Sequence, residues 1–290
     1  MTKALVLGGG GPVGIAWETG LVAGLADGGV DVRHTDFILG TSAGSVVGSQ
    51  LANGTTPAEL LTRELAYAEM AKEAQAKAVA GGAKAPDLSF LMSIMSRRPP
   101  GEEMPKALIL ELCQKALAAQ TVSEEVFIGG FGPALEGERP WPEKFACTAI
   151  DAETAEFVLW SKDTAAPLRL AVPSSCSVPT LFPPITIDGR RYIDGGMRSG
   201  TNADMAKDHG KVVIVAVAPP AFLPMMQPGL DREIAVIRDH GGDALLITPD
   251  AGSGEAFGMN LMDSSNREAI ARAGFAQGQA EAARVGAFWN

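Results

Sequence analysis

A serine flanked by small residues, in the segment Gly40 to Gly44 (Gly-Thr-Ser-Ala-Gly), is the first group in the chain that could do chemistry. The apolar stretch 37–39 precedes it, and residues 45–51 have a composition that favours a helix. A strand, a sharp turn and a helix in this order are typical of a nucleophile elbow, which exposes the hydroxyl of Ser42. The pattern G-x-S-x-G is short, however, and Ser42 could also serve only as a helix N-cap.

Four consecutive glycines follow the short apolar stretch 4–7: they are Gly8, Gly9, Gly10 and Gly11. The stretch 15–26 after them favours a helix. A strand, a glycine loop and a helix place several free backbone N–H groups at a helix N-terminus, where negative charge is stabilised. The loop therefore predicts a bound anion or a developing oxyanion.

The same glycines also satisfy G-x-G-x-x-G, which is the pattern of dinucleotide-binding folds. Those folds place an acidic residue at the end of the second strand, about 20 residues further on. Asp36 lies near that distance, but it precedes the apolar stretch 37–39 and would begin the strand. A nucleotide-binding or regulatory module that uses the loop Gly8 to Gly14 remains an alternative to a hydrolase.

Asp194 is the carboxylate that could serve as a base. Residues 185–187 and 191–193 alternate in polarity around the pair Asp188-Gly189, which predicts a β-hairpin with a two-residue turn. An Asp-Gly pair is more often a turn than a catalytic acid. Asp194 differs because it lies beyond the carboxyl end of a strand, where α/β folds bind their ligands. A carboxylate there could accept the proton of a serine that attacks a carbonyl.

The histidines allow a second hydrolase alternative, a Ser-His-Asp esterase. His209 and His240 both follow Ser42 and Asp194, so either one keeps the order of α/β-hydrolase triads. Each is followed by glycine and lies where a helix is expected to end. Histidines near helix ends are more often solvated or interact with the helix dipole than catalytic. The triad using His209 or His240 is therefore the weaker hypothesis.

The overall composition limits the classes of partner. The chain has 290 residues, of which 46% are hydrophobic, and this is ample for a large α/β core. A net charge of −10 argues against nucleic acid and against electrostatic attachment to anionic lipid. Any lipid contact, including transient contact with a membrane surface, would have to be mainly apolar.

The cysteines and the N-terminal region bear on compartment and cofactors. Cys113, Cys147 and Cys176 are widely spaced, without a C-x-x-C or histidine-rich metal pattern. We expect no metal and no cofactor, and we expect buried thiols in a reducing compartment. The sequence contains no signal-like or membrane-spanning apolar run. These features predict a cytoplasmic protein.

The region from 67 to 141 differs from the rest of the chain. Thr56 and Glu59 form a capping-box pattern that predicts a helix running to about residue 79. From 81 to 101 the composition shifts to Pro, Ser and Met, which suits a mobile lid or membrane-touching face, or a helix packed on the domain. We expect one domain over 1–290, with 67–141 as a helical insertion or cap.

Taken together, these features resemble the patatin-like phospholipases. The glycine loop, the segment Gly40 to Gly44 and the segment Asp194 to Gly196 occur in that order and at comparable separations, with the Pro-rich stretch 179–184 before the last and Asn202 after it. The resemblance covers roughly residues 3–217. It implies a three-layer α/β/α sandwich with a mainly parallel central sheet, and a Ser–Asp dyad in place of a triad.

The resemblance also implies residue roles and a reaction. Ser42 would be the nucleophile and Asp194 the base of an acyl hydrolase that cleaves phospholipid, lysophospholipid or acylglycerol esters. The oxyanion hole would come from the amides of Gly8, Gly9, Gly10 and Gly11. Supporting roles would fall to Gly40, Gly44, Gly195 and Gly196. One departure is that the family usually has Arg or Lys before its final loop glycine, whereas this chain has Val13.

Overall fold

The computed structural model describes residues 1–81, 87–132, 135, 140–164 and 166–290, without the side chains of residues 78 and 79. Part of the predicted lid, residues 82–86, lies outside the described residues. So do residues 133–134 and 136–139 of the predicted insertion. Residue 165 also lies outside them; it is the first residue of a short helix that the sequence predicts over 165–172, ending before Pro173.

The described residues contain one eight-stranded sheet. Its strands are β1 (Lys3–Leu7), β2 (Phe37–Gly40), β3 (Phe145–Asp151), β4 (Phe157–Trp160), β5 (Ile185–Ile187), β6 (Arg190–Asp194), β7 (Lys211–Val215) and β8 (Asp243–Ile247). They are ordered β5-β6-β3-β2-β1-β7-β8, and β4 also pairs with β3. The neighbouring strands β3, β2, β1, β7 and β8 pair parallel to one another in that order. Strands β4 and β6 each pair antiparallel with β3, and β5 pairs antiparallel with β6. The prediction of a mainly parallel sheet is confirmed.

Ten α-helices occur in the part of the chain that the structure describes. They are α1 (Gly11–Asp27), α2 (Ala43–Ala52), α3 (Pro57–Ala80), α4 (Ser89–Met95), α5 (Lys106–Ala118), α6 (Glu124–Gly129), α7 (Leu168–Ser175), α8 (Leu223–Asp239), α9 (Ala251–Phe257) and α10 (Arg267–Trp289). Short 3-10 turns lie between several of them.

Helices cover both faces of the sheet. Along β1, Leu5 and Leu7 belong to the core beneath α1, α2 and α10, whereas Ala4 and Val6 belong to the core beneath α8. All four side chains are fully buried. A strand buried on both faces is apolar throughout instead of alternating, which explains the continuous run Ala4 to Leu7. The predicted three-layer α/β/α arrangement is confirmed.

Glycines let α1 and α10 cross at very short range. A Cβ atom added at Gly20 would lie 2.0 Å from the carbonyl oxygen of Ala271, and one at Gly274 would lie 2.4 Å from that of Trp17. Only the absence of side chains permits this approach. The crossing fixes α1, the helix that begins in the glycine loop, against the outer layer.

Several predicted boundaries agree with the structure and others do not. The capping box is present, because Thr56 and Glu59 exchange hydrogen bonds of 2.9 and 3.2 Å between side chain and backbone. The first helix begins earlier than expected, at Gly11. The helix expected to stop before Pro173 continues to Ser175. Pro173 keeps φ in the helical range, but it lies beyond the first turn and therefore removes one N–H from the hydrogen bonds of α7.

The described part of the insertion packs on the domain. Ile94 of α4 is fully buried, and it joins Leu112 of α5 in a cluster that includes Ile193 and Met197, on either side of Asp194. The expected boundary at residue 67 falls inside α3. That 67–141 forms a cap stays a prediction, whereas α4 follows the second interpretation, a helix packed on the domain.

Candidate active site

Two strands lie end to end along one edge of β3. Cys147 of β3 pairs with residues of both β2 and β4. Ala149 of β3 pairs with residues of both β4 and β6. Because a strand has only two edges, β2 and β6 must both occupy the edge opposite β4. Gly40, at the end of β2, pairs with Cys147, and Asp194, at the end of β6, pairs with Ala149. The carboxyl ends of the two strands therefore face each other, two residues apart on β3, or roughly 7 Å.

Ser42 lies on the sharp turn that follows β2. Its backbone has φ 51° and ψ −115°, which few residues other than glycine adopt and which marks stored strain. The flanking glycines are required: a Cβ at Gly44 would lie 2.1 Å from the carbonyl oxygen of Leu7, and one at Gly40 would lie 2.5 Å from that of Gly44. The residue is 6% exposed. The structure thus gives Ser42 the backbone of a nucleophile elbow.

Asp194 is buried beside this turn. Its residue is 2% exposed, and burial raises the pKa of the carboxyl to about 7. The Gly196 amide, which donates to the carboxyl at 2.7 Å, and the neighbouring Ser42 side chain act in the opposite direction on that pKa. The two side chains, more than 150 residues apart in the sequence, therefore lie close together. A carboxyl with a pKa near neutrality suits a general base.

The glycine loop offers fewer donors than expected. The Gly8 amide donates to the Val215 carbonyl at 3.0 Å, and the Gly9 amide donates to the Gly200 carbonyl at 2.7 Å. Both amides are therefore already bonded in this structure, and a role for Gly8 and Gly9 as oxyanion donors stays a prediction. The amides of Gly10 and Gly11, at the N-terminus of α1, donate to no acceptor among the described residues. These two remain free to bind an oxyanion.

A buried polar network joins the elbow to the turn after Asp194. The Thr41 hydroxyl accepts hydrogen bonds from the Thr148 hydroxyl at 2.9 Å and from the Asn202 amide nitrogen at 3.1 Å. The same amide nitrogen donates to the Gly195 carbonyl at 3.2 Å. Gly195 itself packs so tightly that a Cβ would lie 2.3 Å from the Thr148 hydroxyl. Asn202 thus holds the Ser42 and Asp194 turns in a fixed relation.

Two site residues were missed by sequence reasoning. The Ser42 amide donates to the Ser175 hydroxyl at 2.9 Å, and the Cys176 thiol donates to the Ser42 carbonyl at 3.3 Å. Both follow a proline inside an unremarkable helix, so the sequence carries no signal for them. Burial, together with the charge of Asp194, raises the pKa of the Cys176 thiol. The thiol is therefore neutral and does not compete as a nucleophile.

Neither alternative is assembled at this site. The His209 ring stacks on Phe37 with 4.9 Å between ring centroids, at the start of β2, whereas Ser42 follows its end. His240 is exposed and lies between α8 and the start of β8. Asp36 accepts a 2.7 Å hydrogen bond from the Lys3 amide at the amino ends of the strands. Both histidines and the acidic residue of the dinucleotide hypothesis therefore lie at the wrong end of the sheet.

The family comparison agrees with this arrangement. The family model described as "Patatin-like phospholipase" matches residues 5–207. The chain belongs to the patatin-like phospholipase family. The matched segment runs from β1 past Asn202, so it contains the glycine loop, Ser42 and Asp194. The predicted enzyme class, a lipid acyl hydrolase of this family, is confirmed.

Two solved structures are similar to the chain. VipD from Legionella pneumophila has 15% sequence identity and a TM-score of 0.49, with 98% of this chain and 67% of that chain covered. The type III effector protein ExoU has 13% identity and a TM-score of 0.40, with 97% of this chain and 53% of that chain covered. The chain thus spans about two thirds of one and about half of the other. A comparison with curated proteins gave no match.

Val13 marks this chain's departure within the loop. It is fully buried, and its amide donates to the Leu261 carbonyl at 3.3 Å. An apolar side chain is therefore packed inside at the position where the family resemblance led us to expect a cation. Over the residues that the structure describes, no group of three or more His, Cys, Asp or Glu side chains could hold a metal ion. The same residues contain no helix with the length and apolarity needed to cross a membrane.

Proposed function

We propose that the protein hydrolyses carboxylic esters of lipids through an acyl-enzyme on Ser42, with Asp194 as the general base. The observation that carries this proposal is the position of Ser42, which the strand register on β3 brings beside a buried carboxyl whose pKa burial raises to about 7. Membership of the patatin-like phospholipase family supports the same assignment.

The first half of the reaction makes the acyl-enzyme. The Asp194 carboxylate accepts the hydroxyl proton while the Ser42 oxygen attacks the ester carbonyl carbon. The carbonyl oxygen becomes an oxyanion, which the amides of Gly10 and Gly11 stabilise at the N-terminus of α1. When the tetrahedral intermediate collapses, the ester C–O bond breaks and the protonated Asp194 gives its proton to the departing alcohol.

The second half regenerates the enzyme. Asp194, again a carboxylate, accepts a proton from water as the water oxygen attacks the acyl carbon. The new oxyanion uses the same two amides, and its collapse returns the proton to Ser42 and releases the fatty acid. One carboxyl therefore acts as base and acid in each half, which a pKa near neutrality favours.

The surroundings of the loop support an acyl chain as the bound group. A Cβ at Gly11 would lie 2.6 Å from the terminal methyl of Met262, and one at Gly200 would lie 3.4 Å from that of Met226. Flexible methionine side chains adapt to varied apolar ligands. Met225, beside Met226, is 57% exposed. We infer that transient contact with a lipid surface occurs through apolar side chains of this kind, since the chain is acidic.

The substrate and the compartment belong to the same proposal. Phospholipids, lysophospholipids and acylglycerols share the acyl ester that the dyad attacks, and they differ in the alcohol that leaves. The three free thiols, at Cys113, Cys147 and Cys176, support a reducing compartment such as the cytoplasm.

Hydrolysis assays test the proposal directly. The substrates are aryl esters of graded chain length, and vesicles of phosphatidylcholine or micelles of its lysophospholipid and of monoacylglycerol. Ser42→Ala and Asp194→Asn should lose turnover on every substrate that the wild type cleaves. Ser49→Ala is the matched control, because this serine lies in α2 and, among the described residues, its hydroxyl donates only to the Val46 carbonyl. Turnover retained in Ser42→Ala would contradict the proposal.

A further inference from the structure

A buried carboxyl without a partner lies behind the glycine loop. Glu18 of α1 is 0% exposed, and neither of its side-chain oxygens forms a hydrogen bond with the described residues. Burial raises its pKa well above the usual value, and the Gly8 amide acts in the opposite direction. No charged side chain among the described residues acts on this pKa. Burial therefore favours the protonated, uncharged form of this carboxyl.

The direction of the side chain relates Glu18 to the loop. Helical side chains tilt toward the helix N-terminus, and the N-terminus of α1 is the loop itself. The Gly8 amide is close enough to the carboxyl to lower its pKa, although the two groups form no hydrogen bond. The carboxyl thus lies near the first peptide of the loop.

Gly8 is the residue at which the parts of the site are tied together. Its amide donates to the Val215 carbonyl of β7 at 3.0 Å, and its carbonyl accepts from the Gly44 amide, also at 3.0 Å. Gly44 lies two residues after Ser42, at the start of α2. A small rotation of the Gly8 peptide would therefore move both the Ser42 turn and the donors that follow in the loop.

A carboxyl in this position is costly to the fold. Burying a polar group without a hydrogen bond is unfavourable, and an unbranched apolar side chain of similar size would occupy the same space without that penalty. Local rules of this kind are broken mainly at functional sites. The other fully buried glutamate among the described residues, Glu233, accepts bonds from Thr201 and Ala203. Glu18 lacks such a structural explanation.

We propose that Glu18 is a positioning residue for the oxyanion loop, whose buried, unpartnered carboxyl near the Gly8 peptide fixes the direction of the Gly10 and Gly11 amides. The inference rests on the proposed hydrolase function, because the direction of those amides matters only when an oxyanion forms there. The uncharged form that burial favours suits this role, since a carboxylate behind the amides would oppose the negative charge that they bind.

Substitutions separate this role from simple packing. Glu18→Gln keeps the shape and a carbonyl oxygen, and it should keep kcat within about threefold of wild type. Glu18→Met fills the space but presents no polar group to Gly8. It should raise Tm yet lower kcat by roughly tenfold or more with little change in KM, because oxyanion donors act on the transition state. Thr19→Val, a buried isosteric change in the same helix, is the control and should leave kcat unchanged.

Three measurements decide the outcome: kcat and KM on one aryl ester, and the Tm of each variant. A Glu18→Met variant with raised Tm and unchanged kcat would overturn the inference, while Ser42-dependent turnover of the wild type would leave the proposed function intact. If Glu18→Met does not fold, Glu18→Gln and Glu18→Asp decide. Glu18→Asp shortens the side chain by one methylene and moves the carboxyl away from Gly8, so its kcat should fall, whereas the kcat of Glu18→Gln should not. Equal kcat values in the two variants would overturn the role. A wild type without Ser42-dependent turnover would remove both proposals.

Discussion

Gly40 and Asp194 end two strands that approach each other from opposite directions along the same edge of β3. One strand is parallel to β3 and the other is antiparallel, so their carboxyl ends converge. Ser42 follows Gly40 by two residues, and this convergence brings its hydroxyl to the Asp194 carboxyl. The register of backbone pairing, together with the polar network at Asn202, therefore sets the geometry of the proposed dyad.

The elbow tolerates no side chain at Gly44. A Cβ there would lie 2.1 Å from the Leu7 carbonyl oxygen, so Gly44→Ala must push α2 away from β1. We expect it to lose at least about 2 kcal/mol of unfolding free energy and most of its turnover. Urea unfolding and ester hydrolysis measure the two effects.

Gly129→Ala is the matched control for Gly44→Ala. A Cβ at Gly129 would meet no heavy atom within 4 Å. This variant should stay within about 0.5 kcal/mol of wild type, with unchanged turnover. Equal stability and activity in the two alanine variants would show that the tight contact at Gly44 is unimportant.

The rate of hydrolysis should depend on the ionisation of Asp194. Only the carboxylate accepts a proton, and burial raises the pKa of this carboxyl to about 7. Below that pH, kcat/KM should fall by about tenfold per pH unit, and above it the rate should level off. A pH profile on a neutral aryl ester measures this. A rate that stays flat down to pH 5 would contradict Asp194 as the base.

The same burial should make Asp194 costly to stability at neutral pH. In the unfolded chain the carboxyl ionises near its ordinary value, whereas in the folded chain its pKa is about 7. The free energy of unfolding therefore decreases as the pH rises from about 4 to 7, and it stays constant above pH 7. Asp194→Asn should be more stable than wild type by up to about 4 kcal/mol at pH 8.

Unfolding curves at two pH values check this linkage. The advantage of Asp194→Asn should disappear below pH 4, where both states of the wild type are protonated. Asp163→Asn, an exposed aspartate for which the same change should have no effect at either pH, is the control. An Asp194→Asn variant that is less stable than wild type at pH 8 would show that the buried carboxyl does not destabilise the folded protein.

The histidines should be dispensable for hydrolysis. His209 stacks on Phe37 at the amino ends of the strands, and His240 is exposed. The double variant His209→Asn with His240→Asn should retain turnover within about twofold. Activity is measured on the ester that the wild type cleaves best. Complete loss of turnover in a folded double variant would restore the triad hypothesis.

Local patterns predicted much of the fold. The apolar run Ala4 to Leu7, the capping box at Thr56 and the turn at Asp188-Gly189 each depend on neighbouring residues only, and the structure contains all three. The composition of residues 230–240 predicts a helix, whereas α8 begins earlier, at Leu223. Pro224 lies in its first turn, where the missing N–H has no helical partner, but Pro228 lies inside the helix, which no local rule predicts.

Distant contacts account for what the sequence could not predict about the site. The amides of Gly8 and Gly9 bond to Val215 and Gly200, about 200 residues away in the chain, which no local pattern indicates. Ser175 reaches the Ser42 amide for the same reason, through packing that no local pattern records. The pairing of Ser42 with Asp194 was predicted from a family resemblance, and its physical basis is the strand register on β3.

Covalent labelling tests the central claim most directly. A fluorophosphonate reacts with a serine whose hydroxyl is activated beside an oxyanion hole, and intact mass with peptide mapping locates the adduct. The account predicts one adduct on wild type, carried by Ser42, none on Ser42→Ala, and slow labelling of folded Asp194→Asn. Labelling of Ser42→Ala at the wild-type rate, or a wild type that hydrolyses esters while Ser42 stays unmodified, would contradict it.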